Sequence, residues 1–210
     1  MAFSFNGSDQ CVKADSAAVT AVPMTFSAFF NPDNITSSLS IIVLSDKNSN
    51  QVSYALLAAG AIVGDPVRAQ HGNEFTASTR TGFIAEAWQH AAGSFEASNA
   101  RSVFLNGGNK GEDTSNTSAY LPNVTNIGRI ERAANSPHFF DGFLSEAAIW
   151  NVVLTDSEIA SLAKGFSPRR IRPQSLVFYA PLLRNLQDLR KGLALTAVNS
   201  PTVAAHPRVY

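Results

Sequence analysis

Sixteen carboxylates and four histidines supply the acid–base chemistry of this 210-residue chain, and their spacing decides what they can do. Glycoside cleavage needs two carboxyl groups held across the bond, one as acid and one as nucleophile or base. Glu112 and Asp113 are adjacent, which on a strand sends them to opposite faces, and they sit in a glycine-bounded polar stretch. Glu146 stands alone in the segment 143–150. It is either a lone acid or a charge that faces solvent or pairs with an arginine. His71, His90, His138 and His206 are dispersed, without the close pairs that clamp zinc. His90 shares a strand face with Trp88 and is expected to be structural. Ser94 and Ser167 have no evident base, and the chain has no Gly-x-Ser-x-Gly, Gly-x-Gly-x-x-Gly or Walker sequence. The pattern specifies no catalytic residue and no organic cofactor.

Binding chemistry has more candidates. Asp46, Asn48 and Asn50 offer oxygens at alternate positions, so calcium stays open. The segment lacks the glycine and the distal acid of a helix-loop-helix calcium loop, where Gln51 and Leu57 stand instead, and a polar hairpin tip explains it equally. Trp88 and Trp150 occupy strand positions that suit a sandwich core. Phe29-Phe30 and Phe139-Phe140 must each send one ring away from that core, to meet the C-terminal tail, another subunit or a ligand, the tail being favoured. Arg169, Arg170 and Arg172 lie between two prolines and are expected to contact a partner, since guanidinium groups are enriched at interfaces; a solvated stripe is the alternative.

The elements that would carry these residues are mostly strands. Strand-like runs at about 2–6, 23–31, 38–45, 52–60, 73–78, 88–95, 101–106, 124–129 and 140–151 are separated by turn residues, the spacing of an antiparallel sandwich. Asn106-Gly107-Gly108 is the strongest turn, because Asn and Gly tolerate the positive φ of a tight hairpin. Residues 110–118 are expected to be a mobile surface loop, and the apolar run 54–63 a buried strand pair. One helix interrupts the pattern: Thr155 and Glu158 fit a capping box, Leu154 and Ile159 flank it at staple spacing, and Gly165 ends the helix. Residues 167–173 should cross the surface in extended form, followed by a strand at 176–182, a short strand within 193–198 and an extended tail from 201 to 210. The division expected is a sandwich over 1–166 and an extension over 167–210 that returns to the sandwich or docks on a partner.

Composition narrows the class further. A 45% hydrophobic and 15% charged chain has ample material for a core. Sixteen basic residues against sixteen acidic ones leave no net charge, a poor footprint for nucleic acid. No apolar run approaches membrane-spanning length, and no signal peptide opens the chain, so synthesis in a cytoplasm, with action there or release by lysis, is expected. Cys11 is the only cysteine and should be a buried thiol; sequons at Asn6, Asn34, Asn116 and Asn123 would matter only in a secretory pathway.

Several of these segments resemble one family. Phe3-Ser4-Phe5-Asn6-Gly7, the strand Met24–Phe30, Trp88-Gln89-His90 through Phe95, Val103–Gly107, Asn126–Arg129 and Phe139–Ile159 follow, in order, the pattern of laminin-G-like and pentraxin-like domains of the concanavalin A-like superfamily. The resemblance covers most of 1–166. It implies an all-β, antiparallel two-sheet jelly-roll sandwich with one short helix near 155–165. It also implies calcium on one rim in many relatives. The superfamily's glucanases carry Glu-x-Asp-x-x-Glu on their catalytic strand, and that triplet is absent here. Leu176–Leu182 and His206-Pro207-Arg208-Val209 are similar to laminin-G-like proteins of tailed bacteriophages. That similarity, with the lack of catalytic residues, leads to the expectation of a non-enzymatic virion accessory protein, a capsid decoration or tail-associated protein. It would contact viral capsid or tail proteins, and host surface glycan too, as a symmetric oligomer on the particle surface. The alternative is a carbohydrate-binding lectin module, free or cell-associated, and a weaker one is a degenerate polysaccharide hydrolase using Glu146.

Overall fold

The computed structural model describes residues 2–50, 52–72, 75–118, 121–133, 138–184 and 186–210, with all their side chains except those of residues 52 and 53. Alternating apolar residues build two antiparallel sheets. The first contains β1 (Ala2–Asn6), β3 (Met24–Pro32), β8 (Gln89–Ala97), β9 (Ala100–Leu105), β10 (Gly108–Asp113), β12 (Asp141–Trp150), β13 (Leu176–Ala180) and β15 (Thr202–Ala204). The second contains β2 (Cys11–Ala14), β4 (Ser38–Ser45), β5 (Val52–Ala59), β6 (Pro66–His71), β7 (Phe75–Gly82), β11 (Val124–Ile127) and β14 (Thr196–Val198). Neighbours run β10-β9-β8-β3-β12-β1-β15 in the first, with β13 also on β12, and β14-β2-β11-β4-β5-β6-β7 in the second. This is the all-β jelly-roll sandwich expected from the strand spacing.

The core lies between the sheets. Phe26, Phe30, Phe95, Phe140 and Phe178 are fully buried there, beside Leu144 and Ile149 of β12 and Ile42, Leu44 and Leu56 of the second sheet. Each such side chain contributes about 1.5–3 kcal/mol by leaving water. A second apolar cluster covers part of the first sheet's outer face, where α1 (Asp156–Ala163) lays Ile159 and Leu162 on Phe104, Ala148, Trp150 and Tyr179. The capping box holds: the Glu158 amide donates to Thr155 Oγ1 at 3.3 Å, and the Thr155 amide donates to Glu158 Oε2 at 2.8 Å.

Several expectations change. Residues 110–113 belong to β10, so the loop begins only at 114; the two-residue turn Asn106-Gly107, with φ of 53° and 73°, already pairs β9 with β10. The apolar run 54–63 is one strand followed by a turn, with Ile62 and Val63 exposed. Residues 168–170 form a single 3-10 turn within the stretch expected to be extended, because Pro168 pre-sets the first dihedral of that turn. Strands β2 and β6 were not anticipated. The first is four residues long, and the second begins at Pro66 and carries Arg68 and Gln70. Residues 73 and 74, the start of the strand expected at 73–78, lie outside the described residues.

The extension is built into the sandwich. β13 pairs with β12, β14 with β2 and β15 with β1, where Ala2 and Ala204 are register partners. The Tyr210 amide then donates to the Gly165 carbonyl, and the Ser167 amide to the Tyr210 carbonyl at 3.0 Å.

Candidate functional site

Glu146 sits where β12 changes partner. Ser145 is opposite Phe29 and Ala148 opposite Ser27, so β12 spends three residue steps against two on β3, and Glu146 takes φ 55° in the resulting bulge. On one side of the bulge β12 pairs with β1, and on the other with β13. The side chain neither faces solvent nor meets an arginine. It is buried, accepts from the Tyr179 hydroxyl at 2.6 Å, and has His206 Nε2 3.1 Å from its other oxygen. Burial, and then the Glu146 charge, push the Tyr179 phenol well above its usual range, so it stays a donor. Bulge, strand and tail are thereby tied at one point, and Glu146 acts as structural glue.

The arginines expected at a partner interface are partly used by the chain itself. Arg169 lies over the Tyr179 ring, 5.7 Å from its centroid, and Arg172 Nε is 2.6 Å from Glu158 Oε1; Arg170 is exposed. The outward phenylalanines also find partners other than the tail: Phe29 packs edge-on to His90 at 5.1 Å, and Phe139 lies under the Arg129 guanidinium. Trp150 is fully buried, yet Trp88 is outside the core, half-buried against Phe143 on the first sheet's outer face. His90 is structural as expected, with Nε2 2.8 Å from Ser27 Oγ, and burial pulls it down to about 3; His71, stacked on Tyr54, is pulled down to about 4. Cys11 is a buried thiol, pushed up by that burial.

Three carboxylates do gather in one depression of about 180 Å³ on the first sheet, lined by Glu96, Arg101, Glu112 and Asp113. Glu96 was not among the sequence candidates. Asp113 is ion-paired to Arg101, and Glu112 to Lys110 at 2.9 Å, so two of the three acids are held by cations. The calcium candidates do not converge either. Asp46 accepts from the Asn48 amide at 3.0 Å and from the Asn123 side chain, as a hairpin tip does. Among the described residues no three His, Cys, Asp or Glu side chains are grouped to hold a metal.

The outer face of the second sheet carries a different pocket, of about 260 Å³ and open to solvent. Strand alternation sends Val67 and Ala69 inward and therefore Arg68 and Gln70 outward. Leu57 on β5 and Ile130 after β11 form its apolar floor, and Arg132 and His138 complete the wall. Arg68 is held in place by Nε donating to Ser78 Oγ at 3.1 Å, and Gln70 Nε2 donates to the Gly72 carbonyl at 2.8 Å. The sequence contained the signal, polar side chains at alternate positions of a short strand, but Pro66 and the two long polar side chains hid the strand itself.

The fold recurs in known proteins. A heptameric SAP-like pentraxin from Limulus polyphemus superposes with TM-score 0.59 at 12% identity, over 77% of this chain and 81% of that one. Domain 4 of AbnA, an extracellular arabinanase from Geobacillus stearothermophilus in complex with arabinotriose, gives 0.58 at 19%, over 73% and 72%. Domains LG4-5 of the mouse laminin alpha1 chain give 0.52 at 14%, over 70% and 40%. At these identities the likeness is one of fold. No curated protein matches the chain. The Laminin_G_3 model, described as the concanavalin A-like lectin/glucanases superfamily, matches residues 6–160, from the end of β1 through most of α1, and the chain belongs to that family.

Proposed function

We propose that the protein is a carbohydrate-binding module without catalytic activity, and that its ligand occupies the open pocket on the second sheet. The observation that carries this reading is the pocket's construction: planar hydrogen-bonding side chains, Arg68, Gln70, Arg132 and His138, over the apolar floor of Leu57 and Ile130. Sugars present hydroxyls at their edges and C–H groups on their faces, and such sites commonly combine an apolar surface with a few fixed polar groups. The fold is shared with a domain solved with arabinotriose bound, which supports the reading. That domain belongs to an arabinanase, but domains of this kind are usually non-catalytic. Here Asp113 and Glu112 are paired to Arg101 and Lys110 in the depression where carboxylates gather. Isothermal titration with a panel of oligosaccharides tests it: binding without release of reducing ends is expected. Turnover of any glycan, or no binding across the panel, would overturn it.

A narrower placement, on a virus particle as a capsid decoration or tail-associated protein gripping host glycan, draws on the phage-like sequence of the tail. The arginine cluster supports it less than its sequence suggested, since Arg169 and Arg172 are engaged within the chain. Arg170 remains for an external contact. Detection of the chain in fixed stoichiometry with a major capsid protein in purified particles is the deciding measurement, and light scattering of the isolated protein reads out the symmetric oligomer that such a role favours.

A further inference from the structure

The geometry points to an anionic sugar, one carrying a carboxylate as a uronic acid does, as the residue recognised in the second-sheet pocket. This rests on the carbohydrate-binding reading and narrows it. Two arginines and a histidine line the pocket and, among the described residues, no carboxylate does, in a chain with no net charge. Acids gather instead in the separate depression on the first sheet. Elsewhere among the described residues five cations are paired with acids: Arg101 with Asp113, Arg172 with Glu158, Lys110 with Glu112 and Asp156, and Lys13 and Lys47 with Asp15.

Arg68 is arranged differently. Its single hydrogen bond among the described residues runs from Nε to Ser78 Oγ, and it takes part in no ion pair there. Arg68 lines the pocket, and a guanidinium anchored through Nε leaves its terminal nitrogens to offer the planar fork that matches a carboxylate. The bond to Ser78 fixes the plane before any ligand arrives, so less side-chain entropy is lost on binding than for a loose arginine. Gln70 stands two residues away on the same strand face and also lines the pocket; with Nε2 committed to Gly72, its side-chain oxygen is the acceptor it has to offer a sugar hydroxyl. Leu57 and Ile130 underlie both, as a floor for the C–H face of the ring. A neutral saccharide would leave the charge of Arg68 without a counterion in the bound state. A uronate would supply it.

The test compares three probes by isothermal titration at low salt: trigalacturonic acid, neutral arabinotriose and a sulfated chondroitin disaccharide. Trigalacturonic acid is expected to bind at least tenfold more tightly than arabinotriose, and the margin is expected to shrink as salt is added. Arg68→Met keeps the aliphatic stem and removes the charge. It should abolish the tenfold preference while the thermal midpoint stays within a degree or two, and Arg68→Lys should restore part of it. Equal binding of trigalacturonic acid and arabinotriose, or an Arg68→Met variant with the preference intact, would overturn this inference and leave the carbohydrate-binding reading standing. Preference for the sulfated probe over galacturonate would overturn the carboxylate assignment. Failure of every saccharide to bind would remove the broader reading, and this one with it.

Discussion

Two buried histidines make stability depend on pH. His71 and His90 are held neutral by burial, with His71 also repelled by Arg101, so their folded-state values of about 4 and about 3 lie below the ordinary 6.5. Between pH 6.5 and those values the unfolded chain binds a proton that the folded chain does not, so stability falls as pH is lowered, by about 1.4 kcal/mol per pH unit for each histidine. Below the folded values the dependence from these groups levels off. Urea midpoints measured from pH 7 to pH 4 are expected to fall steadily, and His71→Phe, which keeps the stack on Tyr54, is expected to flatten the slope. An unchanged slope would show that His71 titrates normally. At the same scale, Thr155→Ala removes the α1 cap and should cost about 1 kcal/mol in chemical denaturation. Sequence predicted that cap from four residues because capping is local. It could not predict the fate of Glu146, whose partners Tyr179 and His206 are 33 and 60 positions away and meet it only through the bulge.

Among the elements, strands were readable where an apolar face alternates over six residues or more, as in β3, β4, β8 and β12, and unreadable where both faces are polar or small. β10 is the clearest case. Its sequence Gly-Asn-Lys-Gly-Glu-Asp has no hydrophobic pattern, yet it pairs along β9 and lies against β7 of the opposite sheet. Gly111 explains how, since a β-carbon there would stand 1.8 Å from the Ser78 carbonyl oxygen. The two sheet edges close on each other only because that residue has no side chain. Gly111→Ala is expected to force the edges apart at a cost of up to ~3 kcal/mol, with amide exchange rising in β7 and β10 before the rest of the sheets. Uniform exchange throughout would show that the edges are not closed there. Pocket residues Arg68 and Gln70 escaped sequence analysis for the same reason as their strand: a polar outer face on a short run looks like loop.

At the level of the whole molecule, the C-terminal segment carries more than its length suggests. Eight of the sixteen basic residues but a single acidic one, Asp188, lie at or after Lys164, so this stretch bears a formal +7 that the preceding part cancels with −7. Asp188 is buried and accepts amide hydrogen bonds from Tyr179, Arg190, Lys191 and Leu193, which makes it the organiser of the turn that follows β13. The matched family segment stops at residue 160, before any of this. A chain ending at residue 166 would lose β13 from the side of β12, together with Phe178 from the core and the Tyr179 and Leu176 cover of Trp150. It is expected to lose cooperative thermal unfolding and to aggregate; a sharp, unshifted transition in calorimetry would show the extension to be dispensable.

The pairing of β15 on β1 also makes the fold easy to re-string. Ala2 and Ala204 lie one strand spacing apart, roughly 5 Å. With a linker that runs from Tyr210 back to Ala2 and leaves the tail's contacts at Gly165 and Glu146 in place, new ends could be opened at the exposed turn around Val63 and every strand pairing would be kept. Circular permutation at that turn should be tolerated, with the order of strands along the chain changed and their order in each sheet unchanged.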